Sequence, residues 1–147
     1  MKISAKGEYA CMALLELAFR YRRNRPVPIR IIAERQKIPR KFLVQILSQL
    51  RQAGLVGSRK GREGGYFLTQ PPSRIMLGEV IRVIEGPLVA LVCLEDAPRE
   101  RCSKEASCGF KLIWKEVQEA MAGVIDHVSF EDICNITQKM KGSMYYI

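Results

Sequence analysis

The sequence predicts a mainly α-helical protein with one small β-hairpin, arranged as a winged helix-turn-helix followed by a long dimerisation helix. Three observations support this fold class: two short helical segments meet at a tight turn, a glycine-rich hairpin follows them, and a long apolar helical pattern occupies the second half. We divide the 147 residues into a winged helix-turn-helix domain, residues 1–72, and a second part, residues 73–147. The second part is predicted to hold a helix, a cysteine loop (residues 92–110), the long helix and a tail.

The helix-turn-helix is predicted from the spacing of apolar side chains. Residues 3–21 form a first helix, for which Ser4 is a candidate N-cap. A basic connection with two prolines leads to a second, short helix at residues 29–36. The third helix, residues 40–53, ends at Gly54, because glycine readily adopts the left-handed conformation that stops a helix. Its apolar side chains are expected to be buried: Phe42, Leu43, Ile46, Leu47 and Leu50.

A wing is predicted directly after the third helix. Residues 55–59 and 66–69 have strand patterns, and the sequence GREGGY (residues 61–66) makes a glycine-rich turn between them. The glycines allow the backbone to approach a groove closely, and the arginine and lysine side chains beside them suit phosphates or a narrow minor groove. The alternative is an ordinary surface hairpin. A wing is favoured, because the hairpin directly follows a helix-turn-helix.

The second half is dominated by one long helix. A shorter helix, residues 75–84, comes first, and residues 110–128 then repeat apolar side chains at three- and four-residue spacing over about five turns. Pairing with a second copy would bury so broad a stripe, and packing on the first helix is the alternative. The tail, residues 129–147, is expected to begin with a cap at Ser129 and a short helix and to be mobile at its end.

Charge is distributed unevenly along the chain. Residues 1–74 contain 16 Lys and Arg against 4 Asp and Glu, a net charge of +12, whereas residues 75–147 have a net charge of −3. Such a basic half indicates a polyanionic partner, most simply double-stranded DNA, and a solvated basic surface is the alternative. The predicted DNA-binding residues lie on the second and third helices and on the wing: Arg30, Arg40, Lys41, Gln45, Ser48, Arg51, Arg59, Lys60, Arg62, Gly64, Gly65 and Tyr66.

Other classes of protein fit the sequence less well. No apolar run approaches the ~20 residues that cross a bilayer, and no signal-peptide pattern opens the chain, so we expect a cytoplasmic protein with no membrane partner. The sequence has no paired carboxylates, Ser/His/Asp set or phosphate loop, and its sole histidine, His127, has no evident partner. We therefore expect a protein that is not an enzyme.

Three of the five cysteines follow the pattern Cys-x8-Cys-x5-Cys in a polar loop, at Cys93, Cys102 and Cys108. Thiols stay reduced in the cytoplasm, and thiolates are soft ligands suited to an iron–sulfur cluster or to zinc. Zinc fingers use closely spaced cysteine pairs, which this chain lacks, so we favour a cluster over zinc and over unligated, redox-reactive thiols. Cys11 and Cys134 lie in apolar helical patterns and are expected to be packing residues.

Four motifs follow one another along nearly the whole chain: KISAKGEYACMALLELA, IAERQKIPRKFLVQILSQLRQAGLV, GREGGY and LGEVIRVIEGPL. Together they resemble the IscR- and NsrR-like winged-helix transcriptional regulators of the Rrf2 family. The resemblance implies control of transcription in a bacterium by a homodimer that binds a two-fold DNA site. In the iron–sulfur-sensing branch three loop cysteines hold the cluster, and Cys93, Cys102 and Cys108 stand at those positions. A 2Fe–2S cluster is favoured over a 4Fe–4S cluster.

The chain departs from the family pattern at several positions. The gap between the first two loop cysteines is longer than usual, and Lys111 stands where the IscR branch has a histidine ligand. In the nitric-oxide-sensing branch an acidic residue of the partner subunit is the fourth ligand, and Glu8 stands at the matching place. Val44 replaces a glutamate that reads bases in many members, so the DNA sequence preference is expected to differ.

We predict a transcriptional regulator whose DNA affinity is controlled by an iron–sulfur cluster that senses iron–sulfur, redox or nitric oxide status. Folding of the cysteine loop around a cluster would fix the relative placement of the two recognition helices of a dimer. One alternative is a regulator of the same fold that has no cluster and senses thiol oxidation or a protein partner. A less favoured alternative is an iron–sulfur redox protein, which has no use for a wing or a basic half.

Overall fold

The helices and the hairpin follow one another in the predicted order. The computed structural model describes residues 2–94, 102–104 and 107–143. Within these ranges no helix is both long and apolar enough to span a membrane. The elements are α1 (Ala5–Arg20), α2 (Ile29–Gln36), α3 (Arg40–Gln52), β1 (Val56–Arg59), β2 (Gly65–Leu68), α4 (Leu77–Glu85), α5 (Gly109–Ile125) and α6 (Phe130–Ser143), with single turns of 3-10 helix at Tyr21–Arg23, Pro72–Arg74 and Val92–Leu94.

The core is built around α1, which packs against α2, α3, α4, α6 and β2. Ser4 caps this helix as predicted, because its side chain accepts a hydrogen bond from the Gly7 N–H at 3.1 Å. One charged side chain of α1, that of Glu16, is buried. It accepts hydrogen bonds from Arg20 Nε at 2.7 Å and from Gln36 Nε2 at 3.0 Å. These partners satisfy a buried carboxylate and tie α1 to the end of α2.

The helix-turn-helix has nearly the predicted boundaries. Lys37, in a left-handed conformation with φ of 53°, ends α2, and Gly54, with φ of 78°, follows α3. The prediction that Phe42 is buried is wrong, because this residue is 44% exposed. Phe42 lies in the first turn of α3, where Tyr9 of α1 covers part of its ring with the two ring centroids 6.5 Å apart. The other apolar side chains predicted to be buried on α3 are enclosed: Leu43, Ile46, Leu47 and Leu50.

The wing is an antiparallel hairpin in which Arg59 of β1 lies opposite Gly65 of β2. The connection between α1 and α2 joins this hairpin, because Val27 and Tyr66 exchange backbone hydrogen bonds of 2.7 and 2.9 Å. Main-chain hydrogen bonds therefore hold the wing to the helix-turn-helix.

A single hydrophobic core joins the winged helix to the second part of the chain. Buried side chains of the second part, including Ile75, Val80 and Phe130, pack with those of the winged helix. The α4 helix is also fixed to the end of α5, because the Arg82 guanidinium donates hydrogen bonds to both carboxylate oxygens of Asp126, at 2.6 and 2.9 Å. These hydrogen bonds lower the pKa of the Asp126 carboxyl and raise the pKa of the Arg82 guanidinium.

The C-terminal helix α6 differs most from its prediction. It has 14 residues, which is longer than the short helix expected, and it packs on α1 and on the 3-10 turn at Pro72–Arg74. The predicted cap is present, because Asp132 N donates to Ser129 Oγ at 3.1 Å and Ser129 N donates to Asp132 Oδ2 at 2.9 Å.

Unlike α6, which packs on α1, the α5 helix packs on α4 and on the turn at Val92–Leu94. The predicted mobile end of the tail, residues 144–147, lies outside the described residues.

Candidate functional site

A basic face is formed by the exposed cations of α3 and the wing, namely Arg40, Lys41, Arg51, Arg59, Lys60 and Arg62. Arg51 Nη1 donates a hydrogen bond to Ser58 Oγ at 3.1 Å, so the helix and the wing are adjacent. Among the described residues, no acidic side chain forms an ion pair with Arg40, Arg59 or Arg62. Cations that lack an acidic partner leave their charge available to phosphate groups.

The outward surface of α3 carries the side chains that would contact bases. Gln45 is exposed and Ser48 is half-buried. Val44 is 48% exposed, so its methyl groups face solvent and not the core. On α2, Arg30 Nη1 pairs with Glu34 Oε1 at 3.0 Å, and because both side chains are solvent-exposed this pair contributes little to stability. Arg30 can therefore exchange its partner for a phosphate at low cost.

Gly64 and Gly65, which are predicted to bind DNA, are also required by the packing of the backbone around them. A Cβ on Gly65 would meet the backbone of Val27, and a Cβ on Gly64 would meet the carbonyl oxygen of Arg59. The third predicted residue of this turn, Tyr66, is half-buried, and its backbone pairs with Val27. The wing's own backbone therefore explains the glycine at position 64, and the close approach of Val27 explains the glycine at position 65. Contact of these three residues with DNA stays a prediction.

Replacing Gly64 by Ala should destabilise the protein by about 1–3 kcal/mol, because the new methyl group has no room beside the turn's own backbone. Urea unfolding followed by circular dichroism measures the change. Gly142→Ala is the matched control, since a Cβ there meets nothing within 4 Å and replaces a glycine in the last turn of α6. Equal unfolding free energies for the two variants would contradict the assigned role of Gly64.

The cysteines of the predicted ligand set lie along the loop between α4 and α5. Cys93 is half-buried in the 3-10 turn at Val92–Leu94, Cys102 is exposed, and Cys108 is half-buried as the residue that precedes α5. Loop residues 95–101 and 105–106 lie outside the described residues. In the part of the chain that the structure describes, no three His, Cys, Asp or Glu side chains are close enough to hold a metal ion. The described structure therefore places the three thiols on one loop but does not bring them close enough together to form a metal site.

The two cysteines outside the loop are packing residues, as predicted. Burial, with a smaller effect of nearby Glu85, raises the pKa of the Cys11 thiol to about 11. Burial and nearby Glu131 also raise the pKa of the Cys134 thiol. Both thiols therefore stay protonated near neutral pH, whereas metals bind the thiolate form.

Glu8, the predicted fourth ligand, is exposed in the first turn of α1. A carboxylate there interacts favourably with the positive end of the helix dipole. Among the described residues, Glu8 belongs to no group of three side chains that could hold a metal ion. Its exposed position leaves the carboxylate accessible to a second molecule.

The end of α4 is fixed to the N-terminus of α1. Glu85, the last residue of α4, accepts hydrogen bonds at Oε1 from the Ser4 N–H at 3.0 Å and from the Ser4 hydroxyl at 2.6 Å. These hydrogen bonds hold the pKa of the Glu85 carboxyl below its usual range. Sequence reasoning missed this contact, because its partners are 81 residues apart and no local pattern indicates it.

An apolar stripe on α5 faces solvent. No residue of this helix is buried, and the side chains of the stripe are between 37% and 75% exposed. Contiguous exposed apolar surface of this kind marks a site of interaction with another protein. The stripe consists of Phe110, Ile113, Trp114, Val117 and Val124, with Leu112 beside it.

Comparison with known families places the chain among bacterial regulators. Residues 3–136 match the Rrf2 family, described as "Iron-dependent Transcriptional regulator". An rrf2-like HTH-type transcriptional regulator of Rhodobacter capsulatus is 40% identical over 136 residues, which cover 89% of this chain and 91% of the relative.

Two relatives of known structure share the fold. The structure of Bacillus subtilis CymR, titled "the Global Cysteine Regulator", superposes with a TM-score of 0.74 at 33% identity and covers 92% of this chain and 98% of its own. The structure of T. potens IscR superposes with a TM-score of 0.74 at 32% identity and covers 99% of this chain and 97% of its own. These neighbours confirm the predicted winged-helix fold.

Proposed function

Because the chain belongs to the Rrf2 family of transcriptional regulators, we propose that it acts as a homodimer that binds a two-fold DNA site and changes its DNA affinity with the state of its cysteine loop. The single observation that carries this proposal is the basic face, whose cations on α3 and the wing lack acidic partners among the described residues. As a DNA-binding regulator it would work in the cytoplasm. Its relatives are transcriptional regulators and not enzymes.

On DNA, α3 would lie in the major groove and the wing beside the adjacent backbone. Gln45 offers an amide that can bind adenine, and Arg40 and Arg62 would contact phosphates. Val44 has no hydrogen-bonding group, and an exposed valine in the groove suits contact with a thymine methyl group. The preferred DNA sequence should therefore contain a thymine where family members with glutamate contact another base.

The apolar stripe of α5 would be covered by the same stripe of a second copy. A two-fold interface brings the same surface of both subunits together, so a stripe along one helix is enough to form it. The two α3 helices would then be held at a fixed separation, which a two-fold DNA site must match. Solvent exposure of this stripe in a single chain supports the dimer.

Cys93, Cys102 and Cys108 would hold an iron–sulfur cluster, 2Fe–2S in preference to 4Fe–4S, with Glu8 of the partner subunit as the fourth ligand. The donor set fits such a group, since three thiols on one polar loop are soft ligands and none of the three is buried in the core. When bound, a cluster supplies a redox-sensitive centre that is lost or altered by oxidants or nitric oxide.

The residues of this chain explain how the loop could affect DNA binding. The connection between α4 and α5, which contains the loop cysteines, begins after Glu85, which is bonded to α1 through Ser4, and its last residue is Cys108. Closing the loop around its cysteines would therefore fix α5 relative to α1, and α1 packs on α2 and α3. In a dimer, fixing α5 would set the separation of the two α3 helices.

Anaerobically purified protein should show thiolate-to-iron absorption between roughly 320 and 460 nm, and the single variants Cys93→Ala, Cys102→Ala and Cys108→Ala should lose it. Cys134→Ala is the matched control, because it removes a buried packing thiol and should leave the absorption unchanged. Wild-type protein that stays colourless after reconstitution with iron and sulfide would exclude the cluster. Equal operator affinity of the colourless and coloured forms at one salt concentration would exclude its regulatory role.

Sensing by the thiols themselves is the second candidate function, and similarity to CymR favours it. Cys102 is exposed to solvent, where an oxidant can reach it. For colourless protein, treatment with hydrogen peroxide should then change operator affinity, and Cys102→Ala should abolish the change. An iron–sulfur redox protein is disfavoured, because electron transfer does not need the basic face.

A further inference from the structure

A small cleft lies between the wing and the connection that joins α1 to α2. Its volume is about 100 Å³, well below the roughly 300–1,000 Å³ of sites for drug-sized ligands, so it suits a group of about the size of a phosphate. No α3 residue is among the described residues that line it. The cleft is therefore separate from the part of the basic face that lies on α3. Its buried apolar lining residues are Leu17, Val27 and Leu68.

Three arginines line the cleft, and its described lining includes no acidic residue. The charge of Arg20 is compensated, because its Nε lies 2.7 Å from Oε1 of the buried Glu16. Arg25 and Arg59 are exposed, and neither forms an ion pair with an acidic side chain of the described residues. Their positive charges are therefore available to an anion, and a guanidinium can donate two parallel hydrogen bonds to a phosphate.

Arg59 and Phe67 lie on the face of the hairpin that points away from α3. Phe67 pairs with Gly57, and its ring lies over this glycine, since a Cβ on Gly57 would meet the ring. Arg59 is two residues further along β1 and shares this face, because side chains alternate along a strand. Ser58 has the opposite face, where its Oγ accepts a hydrogen bond from Arg51 of α3 at 3.1 Å.

Main-chain hydrogen bonds hold the other wall of the cleft against the wing. Val27 and Tyr66 exchange backbone hydrogen bonds of 2.7 and 2.9 Å, and Arg25 is two residues before Val27. The same pairing therefore positions Arg25 and Arg59, although they belong to different segments of the chain.

We propose that this cleft binds one phosphate of the DNA backbone in each subunit, held by Arg25 and Arg59. The inference rests on the proposed function, because it requires α3 and the wing to lie on DNA. A minor groove is about 6 Å wide and has a phosphate backbone along each side, so a wing in such a groove has phosphates near both of its faces. Arg25 would thus contact DNA from outside α2, α3 and the wing.

Replacing Arg25 and Arg59 together by Gln should weaken binding to a duplex selected in vitro with the wild-type protein by about tenfold or more. A dimer would lose two phosphate contacts, so the slope of log affinity against log salt concentration should become less steep by about 1.8. Fluorescence anisotropy titrations at several salt concentrations measure both quantities. The matched control, Arg22→Gln with Lys139→Gln, removes two exposed cations that do not line the cleft and should keep the wild-type slope.

Replacing single backbone phosphates of this duplex by uncharged methylphosphonates locates the contact. One position in each half-site should weaken wild-type binding by about tenfold or more. The same replacement should have no effect on Arg25→Gln with Arg59→Gln, because the partners of that phosphate are already absent. In the control variant it should weaken binding as it does in the wild type. Circular dichroism verifies the folding of each variant.

An unchanged salt slope for Arg25→Gln with Arg59→Gln would overturn the proposal, as would a scan without a phosphate coupled to these two arginines. A slope change of about 3.6 would show two separate phosphates and overturn the shared site. If wild-type protein binds no duplex, the proposed function and this inference fall together. If Arg40→Gln with Arg62→Gln flattens the slope and Arg25→Gln with Arg59→Gln does not, only this inference falls.

Discussion

Replacing Ile113 by Glu should convert the proposed dimer into monomers at micromolar concentration. Ile113 lies in the apolar stripe of α5 and is 55% exposed in the single chain, so the substitution leaves the core intact. Burying an isoleucine contributes about 1.5–3 kcal/mol, and a two-fold interface buries it twice. Loss of about 3–6 kcal/mol raises the dimer Kd by about 10²- to 10⁴-fold. Sedimentation equilibrium over a range of protein concentrations measures this change.

Lys115→Glu provides the matched control for this experiment. It introduces the same side chain two residues further along α5, on a face where Lys115 Nζ lies 3.8 Å from Glu119 Oε1 and both side chains are mostly exposed. Its dimer Kd should stay near that of the wild type. If Ile113→Glu and Lys115→Glu sediment alike as dimers, the stripe is not the interface, and the two α3 helices are held together by another surface.

Replacing Arg40 and Arg62 together by Gln should weaken binding to a DNA duplex selected in vitro with the wild-type protein by about 10³-fold near physiological salt. A dimer loses four cations, and each phosphate contact contributes about 0.9 to the slope of log affinity against log salt concentration. The slope should therefore become less steep by about 3.6. Fluorescence anisotropy titrations at several salt concentrations measure both quantities.

The control for this pair removes the same charge elsewhere. Lys115→Gln with Lys139→Gln takes two exposed cations from α5 and α6, outside the basic face. The slope for this control should match the wild type, because a salt slope counts phosphate contacts and not net charge. If both double variants lose affinity equally with unchanged slopes, general charge attraction explains the binding, and the assignment of α3 and the wing fails.

The local features of the fold could be predicted from the sequence because each depends on residues close together in the chain. The bounds of α2, the cap at Ser4 and the stop at Gly54 all agree with the structure. Capping and turn residues act on backbone groups within a few positions, so their effect can be recognised without tertiary information. The wing was predictable for the same reason.

Features that depend on tertiary packing could not be predicted. The exposure of Phe42 depends on how far α1 extends over the first turn of α3. The length and packing of α6 depend on a groove formed by α1 and the Pro72–Arg74 turn. Spacing identified Cys93, Cys102 and Cys108 as a set on one loop, but no spacing rule gives the geometry with which such a loop closes.

The contact between Ser4 and Glu85 has an evolutionary consequence. A carboxylate at the end of α4 is useful only while a hydroxyl and a free N–H lie at the start of α1, since the two Ser4 donors lie 3.0 and 2.6 Å from the Glu85 oxygen. Loss of Ser4 removes the hydroxyl donor from Glu85, and loss of Glu85 leaves Ser4 with only its cap to the Gly7 N–H. Across related chains these two positions should therefore be inherited or replaced as a pair, although 81 residues separate them.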